Sequence, residues 1–204
     1  MCVIIAKPMG ANMPDIKTII AAMDANPDGF AIAYPKNGKI HTFRTLSKVE
    51  MADYYATRFS TLKETAFVFH ARIATHGTKV LSNCHGWTCL KGKYAFFHNG
   101  ILSITARDNM TDSETFLRDI YEPIASKYGH KGAEPAIHAV IGTSKFAFIN
   151  GRGAIKMYGT WTERNGVYYS NTHFMYDYNS GRISRRAYPF EFPARFSCDP
   201  FLKG

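Results

Sequence analysis

The apolar residues of this 204-residue chain switch repeatedly between two spacings, and that switching restricts the folds open to it. Short β-branched and aromatic runs predict strands, while apolar residues three or four apart predict helices. Residues 2–6 read as a buried, uncharged strand. Pro8, Gly10 and Asn12 mark a turn, after which Pro14 suits the first position of a helix carrying Ile16, Ile19, Ile20 and Met23. Asn26-Pro27-Asp28-Gly29 ends that helix, and strands follow over 30–34 and 39–44 around the turn Lys36-Asn37-Gly38. Ser47 with Glu50 forms a capping box ahead of a helix with Met51, Tyr54, Tyr55 and Phe59. Strands at 66–71 and 94–97 lead to a third helix, capped by Thr111 with Glu114 and apolar at Phe116, Leu117, Ile120 and Ile124. A fourth helix is expected over 133–141. From Lys145 the pattern turns to hairpins, over 146–149 with 154–158 and then 167–169.

This order of elements predicts an α+β layered domain spanning 1–204, with residues 182–204 an irregular, proline-bearing basic segment. Gly151-Arg152-Gly153 is turn chemistry, because the third glycine and the helix of a dinucleotide site are missing. Hydrophobic residues make up 46% and charged residues 20%, the balance of a globular chain rather than a disordered one. No apolar run approaches the roughly 18–20 residues that cross a bilayer. The start has no basic region or long apolar stretch, so no signal peptide is expected and a cytoplasmic location is. In that compartment Cys2, Cys84, Cys89 and Cys198 are expected as thiols. The net charge of +9 admits an anionic partner, but a solvated basic surface is the simpler explanation.

Several short segments carry chemistry. Met1-Cys2-Val3-Ile4-Ile5-Ala6 places a cysteine directly after the initiator Met. Then come His70-Ala71-Arg72-Ile73-Ala74-Thr75-His76-Gly77, Asn83-Cys84-His85, Phe97-His98-Asn99-Gly100 and Thr111-Asp112-Ser113-Glu114. In this order and at these spacings the segments resemble class II glutamine amidotransferase domains, whose nucleophile is an N-terminal cysteine. The resemblance is dense over residues 2–116 and departs from the family at Ile73, where an aromatic residue is common, and at Gly86-Trp87, where a proline-containing stretch is common.

That resemblance implies the four-layer αββα sandwich of N-terminal-nucleophile hydrolases, with Cys2 on a strand near one edge of a sheet. It also implies hydrolysis of L-glutamine, or of a related γ-glutamyl amide, through a Cys2 thioester. The residue chemistry is consistent with this. A cysteine within a strand is by itself an inert apolar group. Once Met1 is removed, however, the same residue offers a thiol and an α-amine of ordinary pKa about 7.7–8.0, able to take and return a proton. The Asn99 side-chain amide and the Gly100 N–H are the implied oxyanion donors; read alone, Asn99-Gly100 is an ordinary hairpin turn. Arg72 has the planar fork that grips a carboxylate. Asp112 would accept from an α-ammonium, or complement the start of its own helix. Thr75 and His76 would line the same pocket, and Asp28-Gly29-Phe30 resembles a turn near the family's site, with a structural role equally open.

No cofactor is expected. Cys84, His85, Cys89 and His76 are metal-ligating residue types, but their spacing matches no zinc module. The ammonia either goes to water or is received by a separate synthase subunit, and a homodimer remains open. A contrasting reading keeps the fold without the reaction, as a binding or inhibitory protein. In that reading Arg182, Arg185, Arg186 and Arg195, with Tyr188, Phe190, Phe192 and Phe196, would grip a single-stranded nucleic acid. The simpler role for that segment is to pack its aromatic residues onto the domain. No membrane partner is expected.

Overall fold

Val3–Lys7 forms strand β1, every residue of it buried. A computed structural model of the chain describes residues 2–74, 79–108 and 110–175, so the basic segment over 182–204 and Cys198 lie outside the described residues. Helix α1 (Ile16–Ala25) starts two residues later than a Pro14 start would put it. The Asp15 carboxylate accepts from the Lys17 N–H at 3.0 Å and so caps the helix, leaving Pro14 outside it. Strands β2 (Phe30–Lys36) and β3 (Lys39–Thr45) meet at Asn37 and Gly38, both with positive φ as a tight two-residue hairpin turn requires.

The Ser47 hydroxyl accepts from the Glu50 N–H at the start of α2 (Lys48–Thr57). The reciprocal arm of the capping box differs. The Thr45 hydroxyl donates to the Glu50 carboxylate at 2.6 Å and accepts from the Ser47 N–H at 2.9 Å. Phe59 falls in a separate short helix, α3 (Phe59–Glu64), ahead of β4 (Phe67–Ala71). Next come β5 (Trp87–Cys89), not anticipated, and β6 (Tyr94–Asn99).

The third expected helix is three pieces: α4 (Asp112–Thr115), a π-helical turn (Phe116–Tyr121) and α5 (Glu122–Gly132). The wider π turn rotates the apolar face by a position. Phe116, Leu117, Tyr121 and Ala125 are fully buried, whereas Ile120 and Ile124 are only partly so. Helix α6 (Glu134–Val140) precedes β7 (Lys145–Asn150), β8 (Ile155–Tyr158), β9 (Thr162–Arg164) and β10 (Val167–Tyr169).

Among the described residues the strands form two antiparallel sheets, one ordered β3-β2-β4-β1-β10-β9 and the other β5-β6-β7-β8. Side chains alternate across each strand, so each sheet has two apolar faces. Val3, Ile5, Phe30, Ile32, Phe67 and Phe69 pack against α1–α3. Phe96, Phe146 and Phe148 pack against the π turn, α5 and α6. The facing surfaces of the two sheets carry Ile4, Ala6, Ala31, Ala33, Val68, Ala95, Phe97, Ala147 and Ile149. The layers therefore run helix, sheet, sheet, helix. One expectation needs correcting: β1 is an interior strand, between β4 and β10, rather than one near an edge. Its only charged residue, Lys7, is buried at the strand's end and donates to the Lys63 and Thr65 carbonyls, so β1 carries none of the exposed charge that guards an edge.

Alanines let the facing sheets approach closely, and close packing makes the gap intolerant of extra volume. Ala147→Leu is expected to lower stability by about 1–3 kcal/mol, measured by urea unfolding, with the two-state slope unchanged.

Candidate active site around Cys2

Strand register brings together residues far apart in sequence. Val3 lies opposite Ala71 in the β1–β4 ladder, so Cys2 and Arg72 stand one step beyond its last rung. On the other side of β1, the Ser170 N–H donates to the Ile4 carbonyl and the Ser170 hydroxyl accepts from the Ile4 N–H. Asn171 then donates its side-chain amide to the Cys2 carbonyl at 2.6 Å. From the second sheet, Asn99 ends β6 and donates to Ser170 Oγ at 2.8 Å, tying the two sheets together beside Cys2. Neither Ser170 nor Asn171 was identified from the sequence, and no local pattern marks them.

A cavity of about 320 Å³ opens here, with Cys2, Arg72, His85, Gly100 and Asp112 among its walls. The loop after Gly100 closes it with Ile101, Leu102, Ile104 and Met110, an apolar wall that the sequence reading did not anticipate. A second cavity of about 430 Å³ shares Cys2, Ile73 and Gly100, and it also reaches Asn99. The structure thus gathers Cys2, Arg72, Asn99, Gly100 and Asp112. Thr75 and His76 lie outside the described residues.

Cys2 is half-buried and its Sγ donates to the Ile73 carbonyl at 3.6 Å. Burial raises the thiol pKa, against the smaller opposing pull of that hydrogen bond and of the Arg72 charge. The resting sulfur is therefore a thiol, and attack by it needs a base. The other described cysteines differ from it. Cys84 is buried against Gly29, and burial pushes the Cys89 thiol up to about 12.

Gly100 is not in a hairpin turn; it follows β6 with φ +140°. A Cβ there would sit 2.9 Å from the Ser144 Cα, so the close approach of β6 and the start of β7 requires glycine. The Asn99 side chain is buried, and its Oδ1 has no hydrogen-bond partner among the described residues. Rotating the amide by half a turn would let the Ser170 hydroxyl donate to Oδ1, leaving the NH2 where Oδ1 now lies.

Asp112 follows the Thr111 cap, whose hydroxyl accepts from the Glu114 N–H. The Asp112 carboxylate already accepts from the Leu102 N–H, the Ser113 N–H and the Ser113 hydroxyl. With roughly four lone-pair sites, it has capacity for one more donor. Asp28 has a structural task nearby: it accepts from the Ala74 N–H at 2.8 Å and pairs with Lys79, while its backbone N–H donates to the Arg72 carbonyl and the Gly29 carbonyl accepts from the Arg72 N–H. Burial opposes ionisation of Asp28, but Lys79 and the Ala74 N–H hold its pKa below the usual value.

Three buried histidines stack beside the pocket, two of them, His85 and His98, in its wall. His70 and His85 lie 4.2 Å apart and nearly parallel, with His98 6.2 Å beyond. Burial is the main cause of their low basicity, taking His70 down to about 3, His98 to about 4 and His85 well below its ordinary value. The His98 N–H donates to His85 Nδ1 at 3.1 Å, so neutral His85 carries its proton on Nε2. Since the Ser113 hydroxyl donates to Asp112, His98 Nδ1 donates to Ser113 at 2.6 Å. Among the described residues no three His, Cys, Asp or Glu side chains are grouped to hold a metal ion.

Two outcomes follow. The unfolded chain protonates these histidines from about pH 6.5 downward, whereas the folded chain does not until far lower, so stability falls as pH drops below about 6.5. The loss is up to about 1.4 kcal/mol per pH unit for each histidine. His70→Phe should make the decline between pH 6.5 and 4.5 shallower in urea unfolding; an unchanged slope would contradict the assignment. Gly100→Ala should cost about 1–3 kcal/mol, and adding Ser144→Ala should not restore it, because the backbone conflict remains.

No family profile matches the sequence, and no curated protein does. Solved structures do match. A glutamine phosphoribosylpyrophosphate amidotransferase from B. subtilis, complexed with ADP and GMP, aligns over 83% of this chain at TM-score 0.53 and 14% identity. A structure described as the allosteric regulatory enzyme of purine biosynthesis aligns over 83% at TM-score 0.57 and 14% identity. This chain covers 41% of the length of each. At such identity the likeness is one of fold, and the layered sheets with Cys2 at the head of β1 have the N-terminal-nucleophile hydrolase fold found in class II glutamine amidotransferases.

Proposed function

We propose that the chain hydrolyses the side-chain amide of L-glutamine, or of a related γ-glutamyl compound, through a thioester on Cys2. The observation that carries this reading is one cavity whose wall presents Cys2, Arg72, Gly100 and Asp112 together. Arg72 would take the α-carboxylate by its paired N–H groups. The remaining lone pair of Asp112 would take the α-ammonium. The two opposite charges then select a zwitterion over a bare amide.

Removal of Met1 would free the Cys2 α-amine, the base that a buried, protonated thiol lacks. Through a water, that amine takes the Sγ proton and the sulfur attacks the amide carbonyl. The Gly100 N–H and the Asn99 amide hold the oxyanion; a single such donor is commonly worth about 3–4 kcal/mol in the transition state. Ammonia leaves with the proton from the amine, and water resolves the thioester to glutamate. Thr75 and His76 belong to this proposal only through the resemblance in sequence. A separate synthase subunit receiving the ammonia is compatible with the same chemistry.

Intact-mass measurement after exposure to a glutamine-analogue electrophile tests the proposal directly. One adduct on a chain lacking Met1 is expected, and none on Cys2→Ala. Ammonia release from glutamine should fall to background in Cys2→Ala; retained release would refute the thioester.

A further inference from the structure

Cys2 stands between two cavities, and the glutamine reading uses one of them. The second runs from Cys2 and Gly100 past Asn99 to Thr143 and Lys145. Strand pairing positions Lys145: it lies directly across from Asn99 in the β6–β7 ladder and is half-buried. Among the described residues it is the only charged side chain on that cavity's wall, and no ion pair to it is found there.

Acyl transfer through a thioester is two displacements at one carbonyl. Both tetrahedral intermediates use the same oxyanion donors, so the second nucleophile enters from the side on which ammonia left. With the glutamine backbone held by Arg72 and Asp112 in the first cavity, that side is the second cavity. Hydrolysis needs space there for one water, about 30 Å³ of liquid volume. A space of about 430 Å³ accommodates a far larger nucleophile.

Resting on the amidohydrolase reading above, we infer that the second cavity admits a small primary amine bearing a carboxylate, such as an amino acid or dipeptide, and that the protein transfers the γ-glutamyl group to it. Lys145 pairs with the acceptor's carboxylate and thereby directs the amine toward Cys2. The amine nitrogen bonds to the thioester carbonyl carbon and the C–S bond breaks. The proton lost by the amine passes through the Cys2 α-amine to the departing sulfur. One thioester and one amine become one γ-glutamyl amide and one thiol, with no oxidant or reductant involved.

The test uses the full chain lacking Met1, with glutamine and, separately, glycylglycine, taurine or ethanolamine. Ammonia release and γ-glutamyl products are quantified together, the products by mass spectrometry. The ratio of transfer to hydrolysis reports the fate of the thioester alone, so a defect in forming it cancels. This ratio is expected to be about fivefold higher with glycylglycine than with ethanolamine, the scale of a part-exposed ion pair. Lys145→Met should bring the two amines level, and Lys145→Arg should keep the preference. Taurine matching glycylglycine would overturn carboxylate selection in favour of any anion. Full ammonia release with glutamate as the sole product would overturn the transfer, and equal non-zero ratios for glycylglycine and ethanolamine would overturn the selection assigned to Lys145; either leaves the amidohydrolase reading standing. Absence of both ammonia release and Cys2 labelling would remove both.

Discussion

One hydrogen-bonded junction joins the two sheets at the site. The Ser170 hydroxyl accepts from the Ile4 N–H within one sheet and from Asn99 Nδ2 of the other. Apolar packing between the alanine-rich faces brings the sheets together but has no direction. The polar junction sets which residues face one another where the strands end. Cys2, Asn99 and Gly100 lie within two residues of it along their strands, so their mutual placement follows from it. Both heavy atoms are buried, and an unpaired buried amide costs more than a paired one contributes. That asymmetry favours this one alignment over sliding neighbours.

The electrostatics of the pocket follow from the same burial. Histidine is the side chain most often used as a base near neutral pH, and the sequence places His70, His85 and His98 near the site. Buried and stacked, all three are held neutral. His85 offers a fixed Nε2–H, and His98 leads through Ser113 to Asp112. They orient neighbours rather than carry charge. The thiol is likewise held protonated by burial. Under the proposed reaction a base must therefore come from elsewhere, and an α-amine on Cys2 itself would meet that need without another side chain.

The helical layers show how local chemistry and packing divide the work. Asp15 caps α1 by accepting from the Lys17 N–H, and Thr45 rather than the Glu50 carboxylate accepts from the Ser47 N–H, while the Ser47 arm of that capping box holds. The π turn at 116–121 arises differently. It turns Tyr121 and Ala125 inward against β6 and β7, a demand of the sheet's aromatic surface that helical spacing alone does not reveal.

Much of this protein was already determined by its sequence. Period-two and period-three-to-four spacings mark most of the elements, because each spacing places apolar groups on one face of one kind of backbone. The ordered segments around Cys2, Arg72, Asn99-Gly100 and Asp112 mark the candidate site, because the proposed nucleophile, carboxylate clamp and oxyanion donors each admit few residue types. Only the tertiary structure decided the partners. Ser170 and Asn171 join Cys2 and Ile4 through register between strands distant in the chain, Gly100 is required by Ser144 rather than by a hairpin, and Lys145 reaches a second cavity by lying opposite Asn99. Pairing between distant strands is set by the whole packed interior, and no local stretch of residues carries it.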